Sequence, residues 1–347
     1  MSLLESFDVA EQLPAFYCHF YGWIAWRFEP FQVCADNLRQ AFETALSLGH
    51  VDIAFYCSAH AIKYAIFSGT NLRSLLKEID YYLHLLETYK CEVARNFLLT
   101  FRETVSILID NGQATSIEAK ACIGDLNDPE TKMRESVFFH RVVQCYWVGH
   151  TERCQHFSEK CLPILAPLGQ FNTYLSKFYH GKEAGAGVTL EIDMRANSIS
   201  PHLIISNLQR QFSGLNSLNI WKKKRSAKSK EGLSLALAAM RGAASNSDWN
   251  FTNKLFLLEA DALQEDFFTP RHQIFALYDS SIAAAKKNGF IHEQGLACEK
   301  AGFYCKGARD VHWALVYFNQ ARECYEEWGS NMKVDFIQKE LDSLNGH

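Results

Sequence analysis

The sequence of 347 residues contains no Asp-Asp pair, no Cys-x-x-Cys pair and no Gly-x-x-x-x-Gly-Lys-Ser/Thr phosphate loop. Clustered acids are what an all-helical catalytic cavity needs, and Cys-x-x-Cys is the usual clamp of a structural zinc. A glycine-rich loop ending in Lys and a hydroxyl is what cradles nucleotide phosphates. Charge is also sparse. Only 21% of residues are charged, and 35 Lys and Arg against 39 Asp and Glu leave a net charge of −4, so no overall field favours nucleic acid or anionic lipid. No stretch reaches the ~18 uninterrupted apolar residues of a membrane span, and no apolar secretory segment opens the chain. A cytoplasmic protein is expected, with neither nucleic acid nor membrane as partner. The 11 scattered cysteines fit a reducing compartment, where thiols pack as small hydrophobes. Asn250-Phe251-Thr252 matches a glycosylation sequon but falls at the start of a helical pattern, and is read as chance.

What is present is core-forming: 48% hydrophobic residues, 13% of the chain aromatic. Apolar residues recur at three and four positions almost throughout, the period of a helix buried on one face. Leu38, Ala41, Phe42 and Ala45 form one stripe; Leu75, Ile79, Tyr82, Leu83 and Leu86 form another; Ala94, Phe97, Phe101, Val105 and Leu108 form a third. Glycines close these runs at Gly49, Gly69, Gly112, Gly149, Gly289, Gly307 and Gly329, where a left-handed residue ends a helix cheaply. Asp128-Pro129, Ser200-Pro201 and Thr269-Pro270 place a capping oxygen before proline at a helix start. Two stretches interrupt the pattern, a glycine-rich run from Gly181 and the basic run Lys222 to Lys230. They predict an N-terminal helical array over 1–180, a linker region with one or two helices over 181–232, and a C-terminal array over 233–347.

Between His292 and Trp328 the spacing is more specific. Ala301-Gly302 offers a close approach on a first helix; Ala314, Phe318 and Ala321 follow at the distances a paired second helix requires, with Asp310 as its cap. Leu255, Leu258 and Ala262, then Ala276 and Ala283, suggest a looser preceding unit. The pattern predicts an all-α fold of antiparallel, tetratricopeptide-like helix pairs stacked into an α-solenoid. Its concave side would be lined by first helices such as His292 to Lys306.

The strings Tyr278 to Ala283, Lys287 to Glu293, Leu296 to Glu299, Trp328-Gly329, Trp249 to Lys254, Leu257 to Ala260 and Gly49 to Ala54 resemble the C-terminal helical-repeat region of large signalling proteins with an AAA-like ATPase module. These are the multisensor hybrid histidine kinases and serine/threonine kinases. The resemblance covers most of the chain and is dense from Trp249 to Val334. It implies a docking and relay surface between nucleotide-binding and sensor or kinase modules, with a kinase or ATPase component as partner. The phosphate loop and kinase motifs of such proteins are missing here, as in a detached or truncated relative.

The remaining chemical motifs have packing explanations. Gly181-Lys182 is followed by Glu183 and reads as linker, not nucleotide site. His150, Cys154 and Cys161 share a helical face, with His156 nearby, but lack a ligand clamp and read as packing. Glu191 and Asp193 stand isolated beside a loop. The basic run reads as a solvated loop, and Trp147, Trp221, Trp313 and Trp328 as seam aromatics. No catalytic residue, cofactor or metal is expected. The sequence therefore favours a non-catalytic protein-interaction scaffold or regulatory relay, over an all-α enzyme with a buried cavity or a fragment of an ATPase-linked kinase.

Overall fold

A computed structural model describes residues 11–110, 134–150, 153–154, 156–157, 227–264, 266 and 268–345. Among them are helices α1 (Leu13–His19), α2 (Phe31–Ser47), α3 (Val51–Phe67), α4 (Leu72–Tyr89), α5 (Glu92–Ile109), α6 (Arg134–Val148), α7 (Ala227–Asn246), α8 (Asp248–Leu263), α9 (Arg271–Lys287), α10 (Ile291–Gly307), α11 (Val311–Trp328) and α12 (Asn331–Asn345). A π turn, Phe20–Ile24, and a 3-10 turn, Ala25–Arg27, follow α1. No strand occurs among the described residues, and none of their helices is long and apolar enough to cross a membrane. The fold is all-α, with neighbouring helices packed in pairs, α2 on α3 and α10 on α11 most extensively. Asp128-Pro129, Ser200-Pro201, Gly112, Gly181-Lys182, Cys161, Glu191, Asp193, Trp221 and Lys222 to Arg225 lie outside the described residues.

The apolar stripes form the core. Leu38, Ala41, Phe42 and Ala45 of α2, and Leu75, Ile79, Tyr82 and Leu86 of α4, are all buried. Ala301 and Gly302 meet α11 where expected: a Cβ on Gly302 would lie 2.7 Å from the Phe318 ring. Ala314, Phe318 and Ala321 are fully buried, and the Asp310 carboxylate accepts from Trp313 N. The preceding unit differs from its expectation. Ala276 and Ala283 are exposed, while Ile274, Tyr278, Ser281 and Ala285 face inward. Alanine packs in either environment, and the larger Ile274 and Tyr278 gain more from burial. Pro270, not Thr269, occupies the N-cap of α9, and the Thr269 hydroxyl donates to Asp266 instead. Gly307 completes α10 in helical conformation, and Arg309 takes the left-handed φ of 60°. Helix α7 begins at Ala227, inside the stretch read as linker.

Helices α2–α5 and α9–α12 share a spacing but not a packing, since α2 packs most closely on α3 in the first set and α10 on α11 in the second. Adding 240 to the boundaries of α2 and α3 gives those of α9 and α10. Adding 239 to the boundaries of α4 gives those of α11. The left-handed residues coincide as well: Gly49 with Gly289, Gly69 with Arg309, Lys90 with Gly329. So do the inward positions of the leading helix, Cys34, Leu38, Ala41 and Ala45 against Ile274, Tyr278, Ser281 and Ala285.

These units meet end to end. Gln32 Nε2 donates to the carbonyls of Ser68 and Asn288, Asn71 Nδ2 to Glu327 O, and Ser330 Oγ to Leu108 O. At the rim of this joint the Asn250 side chain donates to Trp26 O and Glu29 O and accepts from Phe31 N. That fully buried side chain is the asparagine of the sequon. Phe31 packs edge-on against Phe251 and Phe290, at 5.9 and 6.1 Å between ring centres, so apolar contact continues across the joint.

Candidate functional site

Buried charge is where an unrecognised active site would show. Three such groups lie between α8, α10, α11 and α12. Lys254 Nζ sits 2.6 Å from Glu293 Oε2, donates to Asn250 O at 2.8 Å and lies 4.2 Å over the Phe290 ring. Burial pulls its ammonium below the ordinary lysine range, and Glu293 opposes that shift. Glu299 Oε2 accepts from Lys333 Nζ and Tyr325 OH, both at 2.6 Å. Asp261 accepts from the Tyr278 hydroxyl at 2.5 Å and faces Lys300 at 3.5 Å. Each carboxylate thus already has a cation and a further donor, the arrangement that makes a buried ion tolerable.

His292 completes this region. It lies between Trp328 and Trp147, at 5.3 and 5.9 Å between ring centres, and burial lowers its pKa to about 4. The imidazole is neutral at physiological pH, so its 3.8 Å approach to Glu293 Oε1 is a contact and not an ion pair.

A fourth group was not anticipated from the sequence. Lys63, on α3, directs Nζ at Gly22 O (3.3 Å) and His60 Nδ1 (3.1 Å) and lies 4.8 Å from the Trp23 and Tyr64 ring centres. Burial lowers its pKa to about 7, against weaker support from the Cys18 and Cys34 thiols. Such an amine is nucleophilic in kind. Its surroundings are side chains rather than space, for a Cβ on Gly22 would fall 2.9 Å from the His60 ring. Its one sequence signal is a lysine inside the apolar run Ala59 to Phe67.

The open surface is elsewhere. In the C-terminal unit, Gln264, Phe303, Tyr304, Gly307 and Ala308 line a shallow groove of about 260 Å³. From it a row of partly buried aromatics leads out to the surface: Tyr304 to Phe275 at 5.4 Å, Phe275 stacked on the buried Tyr317 at 6.4 Å, and Tyr317 to Trp313 at 6.0 Å. Trp313 ends the row 47% exposed, beside Val311 at 46%. Arg271 caps the Phe275 face and pairs with Asp310 at 3.7 Å. Chemically this surface offers apolar area and a few polar anchors, the makings of a docking site.

The sequence-level candidates are dispersed. Trp147 and Trp328 are buried and Trp313 is exposed. Cys154 is buried with its thiol 3.7 Å from Val142 O, whereas His150 and His156 are exposed. No group of three potential metal ligands occurs among the described residues. The expected lining of a concave side, His292 to Lys306, is mostly core: from Ile291 to Lys306 no residue is fully exposed, and only its last turns, at Phe303, Tyr304 and Lys306, approach the groove. Its small and apolar residues pack against helices on several sides. No family model matches the chain, and no curated protein or solved structure matches it either.

Proposed function

We propose that this chain is a non-catalytic docking scaffold, built of tetratricopeptide-like helix pairs arranged as an α-solenoid, which receives a protein partner at the open end of its C-terminal unit. The recurrence of three consecutive helices with the same lengths and the same left-handed turns, and of closely packed helix pairs, supports the repeat architecture. The observation that carries the function is Trp313, half-exposed at the end of a supported row of aromatics, on a surface where no polar groups converge for chemistry. Exposed aromatics backed by packed neighbours are what dominates binding energy at protein interfaces. The sequence resemblance makes a kinase- or ATPase-bearing signalling protein the partner class and a regulatory relay the role.

The test compares the tagged chain with Trp313→Asp and with Phe28→Asp, which alters an exposed aromatic far from that row. A signalling protein retained by the wild type and by Phe28→Asp, and lost with Trp313→Asp, supports the reading. Equal retention by all three overturns it.

A further inference from the structure

We propose that Cys18 and Cys57 form a peroxide-sensing dithiol that closes into a disulfide and ties α1 to α3. Three contacts set the register of these two helices. Lys63 Nζ and the Tyr64 hydroxyl, both on α3, donate to Gly22 O at 3.3 and 3.0 Å, and a Cβ on Gly22 would fall 2.9 Å from the His60 ring. One helical turn before Gly22 stands Cys18, and one turn before His60 stands Cys57, so the same two faces carry the thiols toward each other. The two thiols are hydrogen-bonded, and both lie in the core, Cys18 3% exposed and Cys57 fully buried. The backbone that leads from Cys18 into this anchor is the π turn Phe20–Ile24, a geometry that recurs at functional sites.

The electrostatics give the two sulfurs different roles. The hydrogen bond from Cys57 lowers the Cys18 thiol below its ordinary range, against the effect of burial and with further help from Lys63. That bond and burial raise Cys57 instead. Burial also pushes Cys34 up to about 12 and Cys145, Cys305 and Cys324 up to about 11, which leaves those thiols as packing groups. Cys18 is therefore the attacking thiolate and Cys57 the resolving thiol, the pairing a redox sensor requires. Cys18 sits on a helix of seven residues with exposed Phe16 and His19 beside it, so brief opening of that short helix admits hydrogen peroxide. Cys18 sheds its proton to solvent and its sulfur attacks one peroxide oxygen; the O–O bond breaks, and hydroxide leaves and takes up a proton to become water. Cys57 then attacks the sulfenic sulfur, the S–O bond breaks, and the departing hydroxide takes the Cys57 proton as a second water. Two thiols are oxidised to one disulfide and one peroxide is reduced to two waters.

Peptide mapping of the folded chain tests this, since tryptic cleavage after Arg27, Arg39 and Lys63 puts Cys18, Cys34 and Cys57 on separate peptides. Brief treatment with dilute hydrogen peroxide should join the Cys18 and Cys57 peptides with the loss of two hydrogens, reversibly by dithiothreitol, while Cys34 stays open to alkylation after denaturation. In Cys57→Ala, dimedone should label Cys18; in Cys18→Ala, it should leave Cys57 unlabelled, with circular dichroism confirming that both variants fold. The oxidised wild type should unfold at a higher temperature than the reduced, and Cys57→Ala should show no such rise. Oxidation that consumes other cysteines first, a link between Cys18 and Cys57 that forms only in denaturant, or dimedone on Cys57 in place of Cys18 overturns the proposal, and an unchanged midpoint on oxidation overturns the tie between α1 and α3. The wild-type link is read without any substitution, so a variant that misfolds cannot mask its absence.

Discussion

The helices α2–α5 and α9–α12 share a spacing while packing differently, and their left-handed residues record what each turn meets. Three turn positions carry positive φ in each unit. Where the turn is buried in the joint, the residue is glycine: a Cβ on Gly69 would lie 2.8 Å from His292 Nδ1 and 3.0 Å from Ile291 N, and one on Gly329 would lie 3.2 Å from Asn71 Nδ2. At two exposed turns, Arg309 and Lys90 hold φ values of 60° and 56°. Dihedral strain alone therefore does not require glycine here. Close approach of a second backbone does, and the free ends accept a long cationic side chain at the cost of that strain.

Three substitutions sharpen the comparison. The largest effect is expected at the α10–α11 crossing. Gly302→Leu drives a side chain into the fully buried Phe318 ring and should cost about 3 kcal/mol, the upper end of overpacking. At Ile62, fully buried on α3, a side chain of the same volume is exchanged, so Ile62→Leu should cost under about 1.5 kcal/mol. Exposed Lys287→Ala should stay within about 0.5 kcal/mol. Urea midpoints at constant slope give the order, and an unchanged midpoint for Gly302→Leu would sink the pairing of these helices.

Next comes the turn pair. Gly69→Ala should destabilise by about 1–2 kcal/mol, since it adds a strained φ to a steric clash. Arg309→Gly should instead stabilise by about 0.5–1 kcal/mol by removing strain at an open position. Thermal unfolding of the two variants measures this, and equal effects at both sites would erase the distinction between covered and free ends.

The smallest effect depends on pH. Lys63 places a buried amine among the apolar residues of α3. With a folded pKa of about 7 against 10.5 ordinarily, the folded chain binds fewer protons than the unfolded chain between those values. Stability at this site therefore rises with pH from about 7 to 10.5 and is flat below. Lys63→Met should stabilise at pH 7 by about 1 kcal/mol, the lost amine contacts offsetting much of the relief, and should become less stable than the wild type as pH rises to 10.5, where those contacts persist and the burial cost is gone. A gain independent of pH would show that the amine is ordinarily solvated.

How far the sequence could be read follows from what each residue type reveals. Ala314, Phe318 and Ala321 were legible because small and large residues alternate at fixed spacing only where two helices cross. Ala276 and Ala283 misled because alanine carries no preference strong enough to fix a face, while the informative pair, Ile274 and Tyr278, lay on the other side of the same helix. Lys254, Glu293 and Glu299 read as solvent-facing because charge normally is, and their burial depends on partners 26 to 39 positions away that local pattern does not contain. Asn250 hid in the same way: its hydrogen bonds reach Trp26 and Phe31, far along the chain. The end-to-end joint is a property of two distant segments, and only the glycines at its turns left a mark in the sequence.

The rings of Trp147 and Trp328 lie 5.0 Å apart at 48° to one another, with His292 against both. Indoles held in one fixed, asymmetric setting give near-ultraviolet circular dichroism that freely rotating indoles lack, so this pair is a built-in optical reporter. The joint brings the His292 turn onto the end of α3, so loosening it frees one ring of this trio and collapses that near-ultraviolet signal while the peptide signal of the helices persists. The integrity of the contact between the two units can thus be followed by light alone, without label or partner.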